Sequence, residues 1–178
     1  MNTKNNKKRR ESVERIKKAF LQLLETKELP RITVSELCQL AQINRSTFYA
    51  NYQDVYDLAD GICADLQKEV DAIMATQDGM IIEASFLDLL RHMNEHRSLY
   101  LSYFKLNRMT ERNSAVLPAS QLKAWTYDDF VAYHVEFFRH GFNAIIQMWL
   151  EGGCVESPEQ IQAILLSEYR GRFFDVTH

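Results

Sequence analysis

An all-α fold is what this sequence predicts, on three observations. Three prolines and six glycines are all that punctuate 178 residues, so long stretches run without a helix breaker. Apolar residues recur at three- and four-residue spacing in segment after segment, the period of helices buried along one face. Start and stop signals fall between those segments, which divides the chain into eight or nine helices with no strand pattern and no internal repeat.

In chain order, Val13, Ile16, Phe20, Leu23 and Leu24 form one stripe of an amphipathic helix from Glu11 to Lys27. "KELPR" ends it, because Pro30 lacks an N–H and biases Leu29 away from helical angles. Thr33 and Glu36 form a T-x-x-E capping box that opens a short second helix carrying Val34, Leu37 and Ala41. A turn near Gln42 to Asn44 follows, with Asn44 as N-cap of a third helix from Arg45. Asp54 starts a fourth, which runs to about Ala75 with Val55, Leu58, Ile62, Leu66 and Ile73 as its apolar members. After the "TQDG" link, Met80 to Met93 makes a fifth with Ile82, Phe86, Leu89, Leu90 and Met93, and "NEHRSLYLSYF" a sixth. The "RMTERNSAVLPAS" segment is the most loop-like, with Pro118 near a new helix start. The longest helix runs from Tyr127 to Gly152, with Phe130, His134, Phe137, Phe138, Gly141, Phe142, Ile145 and Trp149 on a wide aromatic face. "EGG" offers a glycine for its left-handed cap, and Ser157 as N-cap with Pro158 behind it opens the last helix.

Composition narrows the function. At 46% hydrophobic and 25% charged, the chain can bury a sizeable core, and no apolar run approaches the roughly 20 residues that span a bilayer. "MNTKNNKKRR" leads into no apolar segment and so does not read as a secretory signal. Cys38, Cys63 and Cys154 are odd in number and unpaired by spacing, the pattern of reduced thiols in a cytoplasmic protein. Charge is lopsided: residues 1–50 hold eleven Lys/Arg against five Asp/Glu, and the remainder ten against nineteen. A basic head on an acidic body points to a polyanion met by the head alone.

The third helix is short and polar where a packed helix would be apolar. Two short helices joined by a tight turn are the plan of a helix-turn-helix, whose second helix enters the major groove of DNA. The groove's donor and acceptor pattern calls for side chains such as Arg, Ser, Thr and Asn. Phe48 and Tyr52 lie four apart and can anchor this helix, leaving Arg45, Ser46, Tyr49 and Ala50 outward.

Those residues carry a resemblance. "ITVSELCQLAQINRSTFYANYQDVYDL" resembles the DNA-binding domain of the TetR family of bacterial transcriptional regulators, through Thr33, Val34, Leu37, Ala41, Ile43, Asn44, Thr47, Phe48, Tyr49, Asn51, Tyr52, Asp54 and Leu58. The resemblance implies a three-helix helix-turn-helix domain over residues 1–56 and a helical dimerisation and effector-binding domain over 57–178. It implies DNA contacts from Thr33, Arg45, Ser46, Thr47, Tyr49, Ala50 and Asn51, with Arg45, Ser46 and Ala50 at base edges and Thr33 and Asn51 at phosphates. Two positions depart from the family: Gln42 replaces the usual turn glycine, and Val55 a lysine that contacts DNA in many relatives. Lys7, Lys8, Arg9 and Arg10, or the N-terminal dipole of the fourth helix, are the candidates to compensate for that cation.

The stretch from Ala132 to Leu165 also resembles the C-terminal region of a TetR subgroup that includes regulators of dihydroxyacetone kinase genes. In the family the last two helices pair into a four-helix dimer interface, which here implies Phe137, Phe138, Gly141, Phe142, Ile145, Trp149, Ile161, Ile164 and Leu165. The alternative for any one of these aromatics is the core of the single chain. Family precedent also allows an effector pocket lined by Phe86, Met93, Tyr100, Tyr103, Phe104 and Trp125, although such a stripe is as readily plain core. The effector would be a small molecule or a protein co-regulator.

Enzyme chemistry is weakly signalled. His92 and His96 lie four apart, a metal-pair spacing with no third ligand indicated, and neither a phosphate loop nor a nucleophile elbow occurs. The expectation is therefore a homodimeric, cytoplasmic DNA-binding regulator, a repressor in the first instance, with no cofactor, no metal, no catalytic residue and no membrane partner. The rivals are a helical metal-binding enzyme and a helical module that binds only proteins.

Overall fold

The computed structural model describes residues 4–74, 83–109 and 131–169, and within them every regular element is helical. They form α1 (Lys4–Thr26), α2 (Val34–Ala41), α3 (Arg45–Tyr49), α4 (Val55–Met74), α5 (Glu83–Glu95), α6 (Arg97–Met109), α7 (Val131–Glu151) and α8 (Pro158–Tyr169). The "TQDG" link, the loop-like segment beyond Met109 with Pro118, Trp125 and the Tyr127 helix start lie outside the described residues. The chain divides into two compact units, Met1–Leu66 with Lys105–Glu111, and Gln67–Phe104 with Arg112–His178.

In the first unit, α1 buries Ile16, Ala19, Phe20 and Leu24, and α2 packs against it with Leu37, Cys38 and Ala41. Helix α1 begins at Lys4 rather than Glu11. Apolar periodicity could not see this, because the added turns hold only polar and basic residues; lysine and arginine are nonetheless good helix formers. After α1, Pro30 sits in a 3₁₀ turn, Leu29–Arg31, which buries Leu29. Lys105 of α6 supplies a cap that no local signal announced. Its ammonium donates to the Leu24 and Lys27 carbonyls at 2.8 and 3.0 Å, where α1 leaves its last carbonyls without helical partners.

The capping box at α2 forms as read. Thr33 Oγ1 accepts from the Glu36 N–H at 3.3 Å, and the Glu36 carboxylate reaches back to the Thr33 N–H. A hydrogen bond from Lys27, seconded by the Thr33 hydroxyl, holds the Glu36 carboxyl below the usual carboxylate range.

Helix α2 stops in a left-handed turn. Gln42 has φ 53° and ψ 50°, its N–H reaches the Gln39 carbonyl, and the Ile43 N–H returns five residues to the Cys38 carbonyl at 3.0 Å. This pair of bonds is the Schellman closure, which favours glycine at the left-handed position. Asn44 does stand at the N-cap of α3, but its side chain makes no capping bond. Asp54 does cap α4, its Oδ1 accepting from the N–H groups of Tyr56 and Asp57 at 2.8 and 2.9 Å. Lys17 ties α1 to α4 through Asp65 at 2.7 Å.

In the second unit, α5 packs on α8, and Arg91 reaches Glu159 at 2.9 Å. Helix α7 closes with the same motif as α2: Gly153 has φ 91°, its N–H meets the Leu150 carbonyl, and the Cys154 N–H returns to Trp149 at 3.0 Å. Arg97 donates to the Leu150 carbonyl at 2.6 Å as well. Ser157 and Gln160 cap α8 reciprocally, with Pro158 as its first residue.

A non-glycine residue held left-handed costs roughly 1–2 kcal/mol, partly offset because glycine would lose more entropy on folding. Gln42→Gly is therefore expected to stabilise the chain by about 1 kcal/mol, raising the unfolding midpoint by roughly 2–4 °C. Thermal unfolding followed by circular dichroism checks this, and an unchanged or lower midpoint contradicts it.

Candidate nucleic-acid interface

Helix α3 is five residues long, too short to be stable by itself. It is held by Phe48, which is completely buried and lies against the rings of Tyr49 and Tyr52 at 5.5 and 5.8 Å. With Phe48 facing inward, helical geometry turns Ser46, Tyr49 and Ala50 away from it, and these three are exposed, as is Arg45 at the open first turn. Tyr49 retains 58% of its surface, an unusual exposure for an aromatic residue. Thr47 and Asn51 are half-buried at the edge of this face. Thr33 is exposed at the head of α2, its hydroxyl already engaged with Glu36 at 2.9 Å.

Several of these groups are oriented by neighbours distant in sequence. Arg45 Nη2 donates to Ser35 Oγ of α2 at 2.9 Å. Asn51 Nδ2 donates to the Thr47 carbonyl at 2.8 Å, and its Oδ1 accepts from Arg9 Nε of α1 at 2.9 Å. Arg15 donates to the Gln42 carbonyl at 3.3 Å, bracing the strained turn from α1. A groove of about 340 Å³ runs between α1 and α3, with Lys8, Arg9 and Ser12 on one wall and Ser46, Thr47, Ala50 and Asn51 on the other. Ser35 and Arg15 carry no signal in the sequence, and Arg9, named there only among four basic residues, shows no sign of its bond to Asn51, since nothing local marks a residue whose partner lies ten to forty-two positions away.

The start of α4 is electrostatically the reverse of this face. Val55 is a buried core residue, so no side chain from that position reaches out. At the N-terminus of this helix the Tyr56 and Asp57 N–H groups are taken by Asp54, and Asp57 in turn accepts the Gln53 N–H at 2.8 Å. Two carboxylates thus occupy an end that would otherwise attract an anion.

Elsewhere, Phe86, Met93, Tyr100, Tyr103 and Phe104, named above for an effector pocket, are buried side chains of the second unit. Of the residues named for a dimer interface, Phe138, Phe142, Trp149, Ile161 and Leu165 are buried within the chain itself. Gly141 and Ile145 are half-buried, whereas Phe137 and Ile164 keep 60% and 44% of their surface. Tyr133 and Met148, on the same face of α7 as Phe137 by helical spacing, are more exposed still.

The His92 and His96 rings lie 4.4 Å apart, but His92 Nδ1 is bonded to the Tyr100 hydroxyl at 2.9 Å. Among the described residues no group of three or more His, Cys, Asp or Glu is placed to hold a metal ion, and no helix is long and apolar enough to cross a membrane.

No family model matches the sequence, and no curated protein does. Solved structures do match the fold. The "Dihydroxyacetone kinase operon activator DhaS" superimposes with TM-score 0.59 at 18% identity, over 91% of this chain and 96% of its own. A TetR transcriptional regulator from Streptococcus agalactiae 2603V gives TM-score 0.66 at 20% identity, over 92% and 96%. A TetR transcriptional regulator from Rhodococcus sp. RHA1 gives 0.52 at 14%, over 94% and 99%.

The His92 imidazole titrates below its ordinary value, chiefly through burial and then through His96, with Glu69 and Glu95 pulling the other way. An imidazole more easily protonated when unfolded contributes stability in full above the unfolded value near 6.5, and loses it as pH falls through the lower folded value. The unfolding midpoint is expected to drop on acidification below 6.5, and less so in His92→Gln. Equilibrium unfolding of both proteins across this range makes the comparison, and parallel profiles would reject it.

Proposed function

We propose that this chain, which has the fold of TetR-family regulators, is a transcriptional regulator that binds double-stranded DNA sequence-specifically as a cytoplasmic homodimer. One observation carries the reading. A helix too short to stand alone is pinned by a single buried phenylalanine, and it offers Arg45, Ser46, Tyr49 and Ala50 to solvent. No packing need explains that exposure, whereas base readout in a major groove does. Residues 1–56 form the DNA-binding domain in this reading and 57–178 the dimerisation domain. Arg45, Ser46 and Ala50 read base edges, Tyr49 and Thr47 lie against the groove wall, and Thr33 and Asn51 position the phosphates.

A palindromic site is read by two such helices about one helical turn apart, which requires a twofold dimer. The face of α7 that carries Tyr133, Phe137 and Met148, with Ile164 of α8, supports that dimer: large apolar side chains lie exposed along it, while their neighbours Phe138, Phe142 and Trp149 fill the chain's own core. Occupying an operator represses by default. One structural neighbour is named an operon activator, which supports the opposite sign, and a reporter placed behind the recovered site distinguishes the two.

Selection of bound fragments from a random duplex pool tests the central claim. A single palindromic consensus is expected, lost on Arg45→Ala while thermal stability is kept. Recovery of no preferred sequence would refute the proposal. In sedimentation velocity at micromolar concentration the wild-type chain is expected to run as a dimer, and Phe137→Glu combined with Met148→Glu as a folded monomer. A wild-type monomer, or a variant that stays dimeric, would remove α7 from the interface.

A further inference from the structure

The start of α4 and the start of α1 differ in sign. At α4 the two residues flanking the first turn are Asp54 and Asp57, which already accept the exposed N–H groups. At α1 the helix extends back to Lys4 through Lys7, Lys8, Arg9 and Arg10, and the last four of these are exposed. Two of them, Lys8 and Arg9, line the groove whose opposite wall is α3. That wall includes Ser46 and Ala50, the residues turned toward base edges, so a strand read by α3 passes within reach of the groove. Arg9 is not a loose surface cation either. Its Nε is spent on Asn51 Oδ1 at 2.9 Å, which leaves the two Nη groups for an acceptor in the groove.

We propose that the α1–α3 groove is a cradle for the DNA sugar-phosphate backbone, in which Lys8 and Arg9 take the phosphate contacts that the acidic start of α4 cannot make. Lys8 supplies a point charge and Arg9 an oriented fork, while Ser46, Thr47 and Asn51 face them across the strand. The proposal rests on the DNA-binding reading above and assigns its phosphate grip to two named side chains rather than to the basic head as a whole.

The test uses the full chain and a duplex that the wild-type protein recovers from a random pool. Affinity is measured against salt for the wild type, for Lys8→Gln with Arg9→Gln, and for Lys7→Gln with Arg10→Gln, circular dichroism confirming that each is folded. Each phosphate contact contributes about 0.9 to the slope of log affinity against log salt. The first pair is expected to lower that slope by about 2 and to weaken the selected and a scrambled duplex by the same factor. The second pair is expected to leave the slope near that of wild type. An unchanged slope for the first pair, a loss confined to the selected duplex, or an equal loss from the second pair would each overturn the cradle. If the wild-type chain recovers no duplex at all, the DNA-binding reading itself has failed and the cradle falls with it, a result separable from the others because it appears before any variant is compared.

Discussion

The presentation of α3 depends on one backbone constraint, the left-handed conformation at Gln42. From there the Ile43 N–H can return to the Cys38 carbonyl, which ends α2 and aims the chain into α3 within three residues. Without that reversal Phe48 would not reach the core, and a five-residue helix without a buried anchor would not form. The constraint is braced rather than relaxed. Arg15 of α1 bonds the Gln42 carbonyl, and α1 is itself held at its far end by Lys105 and along its length by Lys17 and Asp65.

Much of this was legible in the sequence, where the governing signal is local. Thr33 with Glu36, Asp54, Ser157 with Pro158 and the Glu-Gly-Gly stop each satisfy orphan helix ends within a few residues, so the residue types at those spacings announce the bond. Asn44 shows the limit of such reasoning, since it occupies the capping position without making the bond. The extended start of α1 was hidden for another reason: it contributes charge rather than core, and a period can be read only where something apolar repeats.

The candidate site divides along the same line. That Phe48 faces inward and Ser46, Tyr49 and Ala50 outward follows from helical spacing, and that Arg45 is exposed follows from its charge rather than its spacing. That Arg9 meets Asn51, or Arg45 meets Ser35, follows only from how three helices pack. The aromatic stripe of α7 is the intermediate case. Spacing showed a helix with more apolar surface than one side can bury, but not where the chain's own core stops; the structure puts Phe138 and Phe142 inside and leaves Phe137 out.

The bond between Arg45 and Ser35 has a consequence for how such a protein changes over time. In the proposed reading, the hydroxyl on α2 restrains an arginine that would otherwise sample many rotamers, so part of the ordering entropy of recognition is met before any DNA arrives. Ser35 then influences which bases are favoured without touching one. A lineage could drift in preference by substitutions at residue 35 while the reading helix itself stays unaltered.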